Sequence, residues 1–270
     1  MKTWKLVLEY DGSRYSGWQE QINARTVMGE VRKAAETVLG LRVELQGAGR
    51  TDAGVHAEQQ VAHLRAAVRS QVHPLQLLRQ MNDELPYDIA ILAITEAAPR
   101  FHARHDAVSR TYRYQIATRK SAFDKKFIWW VKEPLDVAKM AQAARLLIGR
   151  HDFVAFRQRD PAGVEGSTIV VVENATLDVE EGLIEFRIEA SHFLYKMVRR
   201  LVGALVKIGL GEFDIADFAR LIEGRPDRRF DVAAWTAPSS GLFLEKVTYA
   251  ASASNEPQWK PAPKTAKHTR

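Results

Sequence analysis

The chain has 270 residues, 46% apolar and 27% charged, which suits one large or two small folded domains. It contains no cysteine, so disulfide frameworks, thiolate metal sites and cysteine nucleophiles are excluded. Lys and Arg outnumber Asp and Glu by 39 to 33, a net charge of +6 that favours anionic partners such as nucleic acid.

No apolar run approaches the ~18 residues of a membrane helix. Met1–Lys5 leads into an alternating pattern rather than a secretory leader, so a cytoplasmic location and no membrane partner are expected. Residues 3–10 alternate, with Trp4, Leu6, Leu8 and Tyr10 on one face of a strand. A helix is predicted from Thr26 to Leu39, where Val27, Val31, Ala34, Ala35 and Val38 recur at helical spacing; Thr26 caps its start and Gly40 stops it. Strands near 42–48 and 58–65 flank a loop at 49–56. Pro74 opens a second helix to Glu84, and 88–95 returns as a strand. The order is β-α-β-β-α-β.

That order recurs. Strand 109–118 precedes a helix from Asp136 to Ile148 that Gly149 should stop, and 167–179 and 183–190 read as a hairpin around Glu180-Glu181-Gly182. A long helix follows from Phe193 to Ile208, then a short one near 215–223 and a closing strand at 242–249. Each half fits a split β-α-β unit, so the expected fold is α+β, two ferredoxin-like halves joined into one broad antiparallel sheet with helices on one face. The halves fall at 1–105 and 106–250. A basic tail with Pro257, Pro261 and Pro263 occupies 251–270, lacks apolar periodicity and is expected to be disordered.

The densest polar loop is Gly47-Ala48-Gly49-Arg50-Thr51-Asp52-Ala53-Gly54-Val55-His56, whose glycines permit unusual backbone angles and close ligand approach. A strand follows it where a dinucleotide fingerprint needs a helix, and the Gly-Lys-Ser/Thr of a phosphate loop is missing. An ordinary β-turn with a solvated aspartate remains open. His102 and His105 have the spacing of metal ligands, but Arg100, Arg104 and Arg110 beside them would repel a cation, and no metal site is expected. No Gly-x-Ser-x-Gly elbow marks a serine hydrolase.

Basic and aromatic residues interleave from Arg100 to Tyr114. On a strand Tyr112 and Tyr114 share one face, and arginines rimming such a pair suit the stacking of unpaired bases; packing of both rings against helices is the alternative. In the helix after Phe193, Leu194, Val198, Leu201, Leu205 and Ile208 form a core stripe opposite Lys196, Arg200 and Lys207. Arg199 sits on the flank, where a partly desolvated guanidinium would seek a carboxylate or snorkel to water.

Together these segments resemble the TruA-type tRNA pseudouridine synthases over residues ~5–250. The resemblance is carried by Gly49-Arg50-Thr51-Asp52-Ala53-Gly54-Val55-His56-Ala57, by Glu9-Tyr10-Asp11-Gly12 with Gly17-Trp18-Gln19, and by Phe101-His102-Ala103-Arg104. Arg110-Thr111-Tyr112-Arg113-Tyr114, Gly149-Arg150-His151-Asp152-Phe153, Phe193–Arg199 and Pro238–Leu244 extend it. It implies the two-half sheet, a homodimer, no cofactor, and isomerisation of uridine to pseudouridine at positions 38, 39 and 40 of the tRNA anticodon stem-loop. By the same resemblance Asp52 is the catalytic aspartate, nucleophile at C1′ or base at C2′; Arg199 is its partner, Tyr112 stacks on the target base, and Arg50 enters the stem as the uridine flips. Arg110, Arg113 and Tyr114 complete the expected substrate contacts. Ser191-His192 departs from the family's usual pair but leaves Arg199 in register. A non-catalytic RNA-binding module and a glycosidase or nucleoside hydrolase built on Asp52 are the rival readings.

Overall fold

The computed structural model describes residues 1–158 and 166–250; the tail at 251–270 lies outside the described residues. In chain order the elements are β1 (Lys2–Tyr10), α1 (Val27–Leu39), β2 (Glu44–Gly47), β3 (His56–Ala66), α2 (Pro74–Glu84), β4 (Ile89–Glu96), β5 (Ala107–Ala117), β6 (Trp129–Trp130), α3 (Val137–Arg145), β7 (Gly149–Asp152), β8 (Ile169–Glu180), β9 (Leu183–Ala190), α4 (Met197–Gly209), α5 (Ile215–Ile222) and β10 (Leu242–Tyr249). The strands form one sheet in the order β4-β1-β3-β10-β5-β9-β8-β7, with β2 added to β3 and β6 to β5. Pairing is antiparallel except where β10 meets β3 and β6 meets β5. The α+β class and the broad, mostly antiparallel sheet expected from the sequence are what the fold shows.

Local chemistry explains the best-read elements. The Thr26 hydroxyl accepts from Gly29 N at 3.3 Å and opens α1. Gly40, at φ 65°, closes it with its N–H on Glu36 O. Val27, Val31, Ala34 and Ala35 are buried, as their spacing requires. Pro74 sits in the first turn of α2, where its missing N–H costs no hydrogen bond.

Other boundaries differ. Helix α3 ends at Arg145 rather than Ile148, and Gly149, at φ 119°, starts β7, a short polar strand without alternation that pairs with β8. Helix α4 starts at Met197, not Phe193, because Lys196 adopts a left-handed conformation (φ 58°) that breaks the helical run. Arg200 belongs to no polar face: it is 7% exposed, and the segment before β10 covers α4 so closely that a side chain on Gly203 would meet Trp235 O.

The seam of the sheet positions the site. One edge of β3 pairs with β1; the other is shared, with β2 against Ala62–Arg65 and β10 against His56–Ala57. The loop 48–55 leaves through the gap between them.

Candidate active site

At this gap lies a cleft of about 630 Å³, walled by loop 48–55, the start of β10, part of β5 and the 192–199 segment that leads into α4. Asp52 is held there by its neighbours' backbones. Thr51 O accepts from Trp18 N at 3.1 Å, and the Thr51 and Tyr10 hydroxyls lie 2.9 Å apart. Gly54 N donates to Tyr15 O at 3.2 Å, and Gln60 reaches Gly49 O at 3.0 Å. Gly17, at φ 93°, lies against this loop so closely that a Cβ would come 2.5 Å from Thr51 O, so only glycine lets the 12–18 loop support Asp52. His56 fixes the loop's far end: its Nδ1 accepts from Gly12 N at 3.1 Å, which leaves Nε2 to donate to Lys126 O at 3.0 Å.

Arg199 reaches Asp52 from the other wall. Its Nη1 lies 3.1 Å from Asp52 Oδ2, with both side chains about 15% exposed. Its Nε donates to Ala237 O at 2.7 Å, and Ala237 N returns a bond to Arg199 O at 3.0 Å. The flank position read from the helical wheel therefore presents a guanidinium clamped at both ends. Among the described residues lining the cleft, Asp52 is the single acid, against Arg50, Arg104, Arg110, Lys196 and Arg199. Such a site suits a polyanion brought up to one carboxylate.

The remaining residues singled out in the sequence divide. Tyr112 lines the cleft, 8% exposed, its ring meeting Phe193 edge-on at 5.0 Å. Burial, with Tyr10 and Asp52 nearby, pushes its phenol up, so it is neutral at physiological pH. Arg50 lies exposed in the cleft. Arg110 lines it too, but its guanidinium donates to four carbonyls: Ala48 (2.9 Å), Ser191 (2.9 Å), Arg104 (2.7 Å) and Ala107 (3.3 Å). It braces the loop, the linker before β5 and the segment before α4.

Tyr114 and Arg113 stand apart from the cleft, contrary to the sequence expectation. Tyr114 shares a face with Tyr112, but that face is the buried one. The ring is fully buried and its hydroxyl donates to Pro238 O at 2.8 Å. Arg113 points to the opposite face, where it pairs with Glu58 and Glu185 and stacks on Phe243 at 4.6 Å. The expected exposed aromatic pair is therefore a single cleft-lining ring backed by a core residue.

Sequence reasoning missed Phe193 as the ring against Tyr112, Lys196 as a cleft cation and Ala237 as an anchor for Arg199. A carbonyl 38 residues from its partner leaves no trace in a local pattern. Arg104 was visible among the interleaved arginines. The rings of His102 and His105 lie 4.1 Å apart, tilted by 47°, and among the described residues no group of three or more His, Asp or Glu side chains is arranged to hold a metal ion.

Comparisons with known proteins bear on this geometry. The family model described as tRNA pseudouridine synthase matches residues 143–250. The tRNA pseudouridine synthase A of Pelobacter propionicus is 43% identical over 252 residues, covering 92% of this chain and all of that protein. The proteins of the same name from Thermosipho melanesiensis and Acetivibrio thermocellus are 37% and 38% identical, each with 92% of this chain and all of its own length aligned. Among solved structures, DyPB from Rhodococcus jostii RHA1 aligns over 86% of this chain and 87% of that one at 11% identity, with a TM-score of 0.19, too low to bear on fold or function. With a relative at 43% identity over nearly its whole length, the chain belongs to the tRNA pseudouridine synthase family.

Proposed function

We propose that this chain isomerises uridine to pseudouridine in tRNA, at positions 38, 39 and 40 of the anticodon stem-loop. The observation that carries the reading is the Asp52–Arg199 pair, 3.1 Å apart in a cleft whose other charged lining residues are all cations. The reaction breaks the N1–C1′ bond, turns the uracil and joins C5 to C1′. C5 loses a proton and N1 gains one, so no atom is added overall.

Asp52 acts on the ribose, as nucleophile at C1′ or as base at C2′. Both roles use the carboxylate oxygens, one of which accepts from the Arg199 guanidinium at 3.1 Å. Arg199 also orients it, because Ala237 O fixes the other end of the guanidinium. Tyr112 offers its ring to the everted base, and Arg50 fills the space the base vacates in the stem. Flipping a nucleotide costs a few kcal/mol, which these contacts and the phosphate contacts of the cleft cations offset. Arg110 serves as a brace rather than a substrate ligand. The same reading treats the chain as halves 1–105 and 106–250 that contribute Asp52 and Arg199, and places a homodimer in the cytoplasm.

Replacing Asp52 by Asn keeps size and hydrogen-bonding capacity while removing the charge. The expected result on anticodon-arm transcripts is a fall in pseudouridine formation of at least ~10⁴-fold, with tRNA affinity changed only a few-fold. Retained turnover would remove Asp52 from the chemistry. Intact binding without turnover in the unmodified protein would favour the non-catalytic RNA-binding module, and release of free uracil the hydrolase.

A further inference from the structure

Between β5 and β6 the chain runs Arg119-Lys120-Ser121-Ala122-Phe123-Asp124-Lys125-Lys126-Phe127-Ile128. Phe123, at its tip, is 92% exposed. A lone exposed ring is unremarkable, but here Arg119, Lys120, Lys125 and Lys126 flank it along the chain, all exposed. Trp130, 40% exposed, adds a second aromatic surface, with Lys120 Nζ 5.5 Å from its ring centre. Among the described residues no carboxylate lies in ion-pair range of Arg119, Lys120 or Lys125.

The tip is fastened at several points. Ser121 Oγ donates to Asp124 Oδ2 at 2.6 Å, and Phe127 N donates to Asp124 O at 2.7 Å. The Phe127 ring packs on His56 and Phe243 at 5.1 and 6.2 Å. Lys126 O accepts from His56, and Ile128 O accepts from Ser240 at 3.3 Å. His56 is four residues from Asp52, at most about 14 Å from Cα to Cα. A pre-ordered aromatic platform flanked by cations thus sits at the same end of the sheet as the catalytic loop and is bonded to His56, the first residue after that loop.

The geometry points to a second RNA-binding surface here, on which Phe123 stacks an unpaired base of the bound tRNA outside the cleft while the flanking cations hold the adjoining phosphates. Aromatic faces accept any base, and lysines and arginines track the backbone, which is the chemistry of single-stranded nucleic-acid recognition. Holding the platform in place before binding reduces the ordering cost that a flexible loop would incur. An acidic protein partner would meet the same charge. RNA is favoured because the surface adjoins a cleft with five cationic lining residues. The inference rests on the reading of the chain as a tRNA-modifying enzyme.

Binding of full-length tRNA by the full chain tests it, with Kd and KM measured for Phe123→Ala, Phe123→Leu and Phe123→Trp. The first two should weaken binding ~5- to 150-fold, and Phe123→Trp should restore it, because stacking needs a ring face rather than bulk. A Lys120→Gln, Lys125→Gln double variant should flatten the dependence of log K on log salt by ~1.4 to 1.8. Unchanged affinity in Phe123→Ala overturns the surface and leaves the patch to a protein partner. Equal loss in the Leu and Trp variants overturns stacking. Pseudouridine formation by the unmodified protein is scored separately: if it is present while Phe123→Ala binds normally, only this surface fails. If tRNA binds through Phe123 but is never modified, the proposed function fails.

Discussion

Arg110 and Arg113 lie three residues apart on β5 and point to opposite faces of the sheet, and their surroundings differ in kind. On the buried face, Arg110 meets neutral acceptors, four main-chain carbonyls drawn from three segments. On the other face Arg113 meets charge: Glu58 and Glu185 pair with it, Glu245 lies 3.9 Å away, and Arg187 ties Glu185 to Glu245. The first arrangement fixes geometry where the cleft is built, because a planar guanidinium satisfies several carbonyls in fixed directions. The second stitches β3, β5, β9 and β10 together through charges that respond to pH and salt. Both arginines belong to one motif, yet an odd spacing of three residues along a strand separates a brace of the cleft from an ion network outside it.

The strongest way to break this comparison is Arg110→Ala. It leaves the carbonyls of Ala48, Arg104, Ala107 and Ser191 without their donor in a mostly buried place, at an expected cost of about 4 kcal/mol. Urea unfolding should show that loss in full at pH 8, since the four carbonyls do not titrate, and a somewhat smaller one at pH 5, because the Arg110 charge, together with burial, holds the His192 pKa down and its removal eases protonation there. Pseudouridine formation should fall further than the folded fraction does, because Asp52's loop and the approach to Arg199 lose their common anchor. Arg110→Lys should recover less than half of the stability, since one ammonium cannot reach four acceptors. Full recovery by lysine would show that charge alone matters there.

Arg113→Ala should cost less, about 2–3 kcal/mol, because Glu58 retains access to water. Its signature is the pH dependence. Burial pushes the Glu185 carboxyl up, but Arg113 and Arg187 beside it outweigh burial and hold it below the usual carboxylate range. A depressed carboxylate stabilises the fold above its unfolded pKa of ~4.3, and that contribution disappears as pH falls through the folded value. The gap between wild type and Arg113→Ala should therefore be full at pH 7 and shrink below about pH 4.3. A gap of constant size from pH 7 to pH 3.5 would exclude the ion network as its cause.

The same contrast separates what the sequence made legible from what it did not. Alternation along β1 and helical spacing in α1 mark burial directly, and Thr26 and Gly40 mark the ends of α1 by their own chemistry. Asp52 stands out because glycines crowd its loop, and Arg199 because its position fits neither face of its helix. Tyr112 and Tyr114 were legible as a pair on one face, but periodicity does not say which face of a sheet is covered. That depends on where α4 and the 231–241 segment come to rest, a long-range outcome. Arg200 misleads for the same reason: a charge opposite an apolar stripe reads as solvated until another segment packs over it. Strand β7 escapes notice because a glycine and three polar residues show no alternation; its strand pairing is with β8.

The smallest effect tests the buried face itself. Tyr114 is covered and its hydroxyl holds Pro238 O, the residue after the one whose carbonyl anchors Arg199. Tyr114→Phe keeps the ring and removes that single bond, so it should cost about 1 kcal/mol of stability. If the 237–241 segment positions Arg199, turnover should fall a few-fold while tRNA affinity holds, since the loss acts on the placement of a guanidinium and not on RNA contacts. Tyr112→Phe keeps its stacking ring and should retain most turnover, whereas Tyr112→Ala should not. A Tyr114→Phe protein that binds tRNA more weakly would instead put Tyr114 on the substrate, as its place beside Tyr112 in the sequence first suggested.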